Sequence, residues 1–225
     1  MRTLIAVKSC WRDLHRGDHS HIRNTWGRDA YHIPFDVRFF TGKREETILW
    51  TLEDEVHLDC RDDYDSLPLK TQQILLWSTE RDYDFTFLCD TDTYVIPRLL
   101  AGCDYQNYDI SGRFGAMPAL GSTFNYRDAR GVYPNCHPWP SGGVGYFVSR
   151  RAARVIAYTN PTVWAEDMYV GQVLGPLIQS GDLKGVDIPN FECNIAWHFP
   201  RRAYQNKSYD PSFGWMQKMY KEHRA

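Results

Sequence analysis

The chain has 225 residues, 43% of them hydrophobic and 15% aromatic, and a formal net charge of −2. That length and composition fit one α/β domain with a buried centre and exclude a disordered chain. The near-neutral balance excludes a whole-molecule field that would pull the protein onto nucleic acid or acidic lipid. From the N-terminus, residues 3–7 read as a first buried strand, 37–40 as a second, closed by Thr41-Gly42, and 55–58 as a third. Residues 67–81 read as a helix with Pro68 in its first turn, where a missing N–H costs nothing. Residues 85–89 form a buried strand whose C-terminal end delivers Asp90 and Asp92. Residues 144–149 read as a further strand leading into a basic helix over 150–158, and 167–179 as another helix with Glu166 and Asp167 at its start. Strands alternating with helices predict a mixed, mostly parallel sheet flanked by helices, in which ligands sit beyond the carboxyl ends of the strands.

Between residues 112 and 142 the composition turns to Gly, Pro, Tyr and Trp with little periodicity, which predicts a long lid or acceptor-binding loop. The basic stretch of Arg201, Arg202, Lys207, Lys218, Lys221 and Arg224 reads as a solvated face. The six cysteines, Cys10, Cys60, Cys89, Cys103, Cys136 and Cys193, include no C-x-x-C pair. They are expected to be reduced and not to hold structural zinc. The short apolar run Leu4-Ile5-Ala6-Val7 cannot be a signal core or a membrane span. The expected compartment is the cytoplasm if the chain is complete, and the Golgi lumen if it is a trimmed catalytic domain.

Asp90-Thr91-Asp92 places two carboxylates at i and i+2, on one face of an extended backbone. Two hard oxygen donors suit Mg2+ or Mn2+ bridging to phosphate oxygens, while the alternative is a pair of surface aspartates in a turn. Glu166-Asp167 reads first as the acidic start of a helix and second as a source of a general base. Ser141-Gly142-Gly143-Val144-Gly145 allows close backbone approach to a ligand, but it is neither a Walker loop nor G-x-G-x-x-G. His15, His19 and His21 are expected to be solvated loop histidines. Trp139 either stacks on a sugar ring or packs.

In their order along the chain these pieces resemble the fringe family of β-1,3-N-acetylglucosaminyltransferases, and more broadly the β-1,3-galactosyl/N-acetylglucosaminyltransferases. The opening block is Ile5-Ala6-Val7-Lys8-Ser9, Leu14-His15-Arg16 and Ile22-Arg23-Asn24-Thr25-Trp26. Asp62-Asp63-Tyr64-Asp65-Ser66-Leu67-Pro68-Leu69-Lys70-Thr71 is similar to the family's D-S-Y-x-N-L-T-L-K-T. Phe87-Leu88-Cys89-Asp90-Thr91-Asp92-Thr93-Tyr94-Val95 is similar to its acidic triplet. Ser141 through Arg150 resembles its glycine-rich block, and Glu166-Asp167-Met168-Tyr169-Val170-Gly171 its E/D-D block. The resemblance implies a single GT-A (Rossmann-like) domain over 1–225, with a nucleotide-binding half over about 1–95 and an acceptor-binding half over about 96–225. It implies a UDP-sugar donor, a hydroxyl acceptor of glycan type, Mn2+ or Mg2+, and inversion at the anomeric carbon. By position, Asp92 would ligate the metal, and Asp90 would face the donor's ribose or the metal. Asp167 would be the catalytic base, and Lys8, Ser9 and Arg16 would line the nucleotide.

Two positions depart from the family pattern. Thr91 replaces the middle acid of the triplet, which leaves the minimal D-x-D. The family's late metal-binding histidine has no clean counterpart after Gly181; His198 is the candidate and Asp187 the substitute, with a satisfied core histidine as the other account of His198. Three other readings stand beside sugar transfer to a glycan. They are transfer to a hydroxymethylated nucleic-acid base, a nucleotide-sugar-binding module without catalysis, and a metal-dependent phosphotransferase or nuclease.

Overall fold

A computed structural model describes residues 1–43, 51–189, 191–192, 194–198 and 214–224. In chain order the elements are β1 (Thr3–Lys8), α1 (Trp11–Arg16), α2 (Asp18–Arg23), α3 (Trp26–Ala30), β2 (Phe35–Thr41) and β3 (Glu55–His57). They continue with α4 (Leu67–Glu80), β4 (Phe85–Asp90), β5 (Thr93–Val95), α5 (Pro97–Gly102), β6 (Ile110–Gly112), β7 (Phe124–Asp128) and β8 (Gly131–Cys136). The last are β9 (Tyr146–Ser149), α6 (Arg150–Ala157), α7 (Glu166–Ser180), β10 (Gly185–Asp187), β11 (Ala196–His198) and α8 (Gly214–Arg224).

Among the described residues the main sheet has seven strands in the order β10-β6-β9-β4-β1-β2-β3. The β1–β2, β1–β4, β2–β3 and β6–β10 pairings are parallel, while β9 runs antiparallel to both β4 and β6. This is the mixed, mostly parallel, helix-flanked α/β sheet expected of a GT-A fold. The centre is β1, buried along all six residues because both of its faces are covered, as parallel strands require. Strand alternation divides its side chains between two layers. Ile5 and Val7 join Val37, Phe39 and Phe87 beneath α3, α5 and α8. Leu4 and Ala6 join Phe40, Leu88, Ile74 of α4, Ile156 of α6 and Val170 of α7 on the other side.

Several expectations need correction. Residues 11–30, given no elements from sequence, form three short helices, the first two joined at Gly17 with φ +88° and the third entered through Asn24-Thr25. His19 is therefore not a solvated loop residue: it is buried on α2, within 2.6 Å of the Ser9 hydroxyl and 3.2 Å of Glu55 Oε1. The segment expected as a loop over 112–142 contains the β7–β8 hairpin. The strand expected over 144–149 begins at Tyr146, because Gly145 turns the chain with φ +100°. Cys10, Cys60, Cys89, Cys103 and Cys136 are free thiols; Cys193, Arg201, Arg202 and Lys207 lie outside the described residues. None of the described helices is long and apolar enough to cross a membrane.

At Gly145 an added Cβ would sit 2.4 Å from Phe87 Cζ and 2.8 Å from the Leu88 carbonyl oxygen, with the backbone already at φ +100°. Gly145→Ala is accordingly expected to destabilise the protein by about 3 kcal/mol through combined strain and overpacking. A thermal midpoint lower by several degrees checks this; an unchanged midpoint would contradict the close approach.

Candidate active site

The parallel register sets Lys8, the last residue of β1, directly beside Asp90, the last residue of β4. Both therefore reach the carboxyl edge of the sheet, where α4, α7 and the 141–145 turn converge. A cavity of about 620 Å3 opens there, within the range of small-ligand sites. Lys8, Ser9, Arg16, Asp90 and Asp92 all line it.

Asp90, Asp92 and His198 each offer a ligand atom, and these atoms lie within 4.8 Å of one another. His198 arrives through a long-range contact: β11 pairs antiparallel with β5, so that His198 stands opposite Thr93, and its Nε2 comes 3.4 Å from Asp92 Oδ1. Asp187 is elsewhere, bound by Arg113 at 3.2 Å and by the Phe114 N–H at 2.9 Å. Burial pushes the Asp90 carboxyl upward; Lys8 opposes this, and the charge of Asp92 adds to it. Two oxygen donors and one imidazole nitrogen, gathered at one point of the sheet edge, form a donor set that fits Mn2+ or Mg2+.

Lys8, Ser9 and Arg16, the residues expected to line a nucleotide, are held differently from one another. Lys8 is 5% exposed, and its ammonium lies 2.9 Å from Glu166 Oε2 and 3.3 Å from Asp90 Oδ1. Burial works against its charge, but the two carboxylates outweigh that and hold its pKa above the usual lysine value. The Ser9 hydroxyl is engaged with His19. Arg16 is paired with Asp18 and with Asp13. Lys70 donates to Asp62 and to the Ser9 carbonyl, and this fixes the turn after β1.

Glu166 and Asp167 open α7 but face different partners. Glu166 is buried and accepts from Lys8, from the Tyr146 hydroxyl and from Thr71 Oγ1 at 3.2 Å. Its carboxylate thus pins the start of α7 to β1, β9 and α4. Asp167 accepts a hydrogen bond at 2.8 Å from the Met168 N–H, so the helix-start reading holds in part. Burial, then the adjacent Glu166 charge, raises the Asp167 carboxyl to about 6. Such a value makes it mostly ionised at neutral pH yet a stronger base than an ordinary aspartate.

The glycine turn connects the two acidic groups. A Cβ on Gly142 would stand 2.7 Å from Glu166 Oε2 and 3.5 Å from Asp167 Cβ; one on Gly143 would stand 2.7 Å from His198 Nε2. Consecutive Cα atoms are about 3.8 Å apart, so a single peptide unit of this turn runs past Asp167 at one end and His198 at the other. Only glycine lets the backbone pass so closely between them. Trp139 is 7% exposed and packs with Cys136 and Met168, which settles the choice between stacking and packing in favour of packing. Sequence reasoning assigned no role to Tyr146 and read Glu166 only together with Asp167, as an acidic helix start or a source of a general base; its contacts with Lys8, Tyr146 and Thr71 were not foreseen.

The Galactosyltransferase family model matches residues 18–178. A comparison with curated protein sequences finds no match. A solved structure described as a glycosyltransferase involved in the glycosylation of the major capsid of PBCV-1 superposes over 96% of this chain and 100% of that one. Its TM-score is 0.53 at 11% identity, a shared fold. A197 from STIV superposes over 88% and 86% with a TM-score of 0.44 at 15% identity. The chain belongs to the Galactosyltransferase family.

Proposed function

From that membership, which makes the chain a glycosyltransferase, we propose that it moves a sugar from a UDP-sugar to a hydroxyl acceptor with inversion, in a fringe-like β-1,3 manner. One observation carries the proposal: the adjacent glycines of one turn lie against both groups, Gly142 against Asp167 and Gly143 against His198 of the Asp90–Asp92–His198 group. In this reading Asp90, Asp92 and His198 hold a divalent cation, which supplies neutralisation of charge on the departing diphosphate.

The chain's own residues carry the remaining work. Ionised Asp167 accepts the proton of the acceptor hydroxyl as that oxygen attacks the anomeric carbon. The bond to the diphosphate breaks on the opposite face, so configuration inverts. Glu166, clamped by Lys8, Tyr146 and Thr71, keeps the first turn of α7 from rotating and so holds Asp167 in line. Lys8, shared between Glu166 and Asp90, locks the base side of the cleft to the strand-tip side.

The test is release of UDP from a panel of UDP-sugars, with and without Mn2+. At least one donor is expected to turn over, with a rate that falls to background after chelation. Turnover of no donor, or turnover indifferent to chelator, contradicts the metal-dependent reading.

A further inference from the structure

Asp90 and Asp92 are held more firmly than His198, the third member of their group. The turn that carries the two acids is tied down at Thr93. Its hydroxyl accepts from the Asp90 N–H at 3.2 Å and donates to the Gly143 carbonyl at 2.7 Å, and its carbonyl accepts from the Trp26 indole at 3.1 Å. His198 stands at the end of β11, which pairs with β5 over three residues. The start of that strand is secured, since Ala196 is buried and its N–H donates to the Phe191 carbonyl at 3.1 Å. Trp197 and His198 are only half-buried. Successive strand residues point to opposite faces, so whatever fixes Trp197 also sets the direction of His198.

The support for Trp197 comes from α8. Met216, Met219, Tyr220 and His223 recur there at i, i+3, i+4 and i+7, one face of a helix. Met216 and Tyr220 are buried in the core layer that α8 shares with α3 and α5, and Met219 packs against it. The Tyr220 hydroxyl donates to Asp29 of α3 at 3.1 Å. With the helix so anchored, its last turn carries His223 onto both strands of the small sheet. The imidazole lies 4.8 Å from the Trp197 ring and 5.8 Å from that of Tyr94, and those two rings meet at 6.1 Å. Trp197 is next to His198 in the chain, and Tyr94 follows Asp92 by two residues. His223 acts here as a packed ring: its Nε2 is buried with no hydrogen-bond partner, a cost to the fold that a carbon atom in the same place would avoid. A cavity of about 360 Å3, lined by Asp29, His32, Tyr94, Ile96, Arg98 and His223 among others, opens beside it. A side chain lost at position 223 would therefore widen an existing space instead of being replaced by a neighbour.

We propose that α8 braces the metal-binding group, with His223 and Trp197 as positioning residues that turn His198 towards Asp90 and Asp92. The inference rests on the metal-dependent reading above. It adds to that reading a helix that contributes no ligand atom of its own to the group.

The experiment titrates Mn2+ alone into the wild-type protein, His223→Ala, His223→Phe and Ile156→Val. Bound Mn2+ is read by electron paramagnetic resonance, well below each variant's melting midpoint. The affinity of His223→Ala should be lower by about tenfold, the scale of a lost partner behind a metal ligand. His223→Phe keeps a ring against Trp197 and Tyr94 and removes the unpartnered nitrogen. It should bind Mn2+ within about twofold of wild type and melt no lower. Ile156→Val loosens the core layer on the other side of the sheet, and it should lower the midpoint without changing Mn2+ affinity. Wild-type affinity in His223→Ala overturns the proposal. A loss in His223→Phe equal to that in His223→Ala overturns it too, as does an equal loss in Ile156→Val, which would make the effect one of general stability. Failure of the wild-type protein to bind Mn2+ is a different result: it removes the metal-dependent reading itself, and the brace with it.

Discussion

Asp167→Asn is expected to lower sugar transfer by about a thousandfold, the scale of a lost general base, while donor affinity changes by less than about twofold. Asparagine keeps the shape of the side chain and can still accept the Met168 N–H through its carbonyl oxygen, but it cannot take a proton. The wild-type rate should rise with pH through about 6, where the Asp167 carboxyl ionises, and that limb should vanish in the residual activity of the variant. Stability moves the opposite way. The folded pKa of Asp167 is raised, so its protonated form is the one the fold prefers. Its contribution to stability is full below the unfolded value of about 3.9 and is lost as pH rises through about 6. A two-unit shift corresponds to at most about 3 kcal/mol at pH 8. Asn avoids this, so the variant should melt several degrees above wild type at pH 8 and level with it near pH 3.5. Full transfer activity in Asp167→Asn removes the base assignment. Equal losses of transfer and donor affinity would mean that Asp167 shapes the pocket rather than moving a proton.

That pairing of lost activity with gained stability follows first from the burial of Asp167 and then from where Glu166 points. Its carboxylate is spent on Lys8, Tyr146 and Thr71, which fixes a second negative charge beside Asp167 at the start of α7. The arrangement raises the basicity of Asp167 at the expense of the fold, as expected of a site whose pKa is tuned for proton transfer.

Local pattern made some of this readable and hid the rest. The run Thr3–Lys8 is buried on both faces and so reads as a core strand without help from any neighbour. Helix α4 announces itself by its length and by Pro68 in the first turn. Helices α1 to α3 are five or six residues long, shorter than the window over which a 3.6-residue period can be seen. The β7–β8 hairpin alternates between half-buried and exposed positions, so it carries too few apolar residues to stand out from a loop. At the site, Asp90 and Asp92 declare themselves by sharing a face at a strand end. His198 does not, because its place depends on a three-residue pairing between β5 and β11 across about a hundred residues of chain. Lys8 was legible only through the family resemblance, and its partners were not legible at all. Glu166 lies 158 positions away in sequence, and no local pattern encodes such a contact.

Asp92→Ala is the second large effect, and it should appear in binding instead of in the proton-transfer step. Metal-dependent donor affinity is expected to fall by at least about a hundredfold, since even outer partners of a metal ligand cost ten- to a hundredfold. Removing Asp92 leaves Asp90 and His198, one oxygen and one nitrogen donor, too few to compete with water for a hard cation. Raised Mn2+ should restore part of the turnover, because the defect is one of occupancy; Asp167→Asn should show no such rescue. Asp92 is the more informative of the two strand-tip acids to remove. Asp90 also neutralises Lys8 at 3.3 Å, so Asp90→Ala would leave a buried ammonium with Glu166 as its remaining near carboxylate and mix loss of stability into loss of binding. Asp92 lies 3.4 Å from the His198 imidazole instead, so its removal does not strip Lys8 of a counter-charge. Isothermal titration of UDP into each variant at fixed Mn2+ separates the two outcomes. If Asp92→Ala binds UDP as wild type does, with the same dependence on Mn2+, the cation is not held by this cluster.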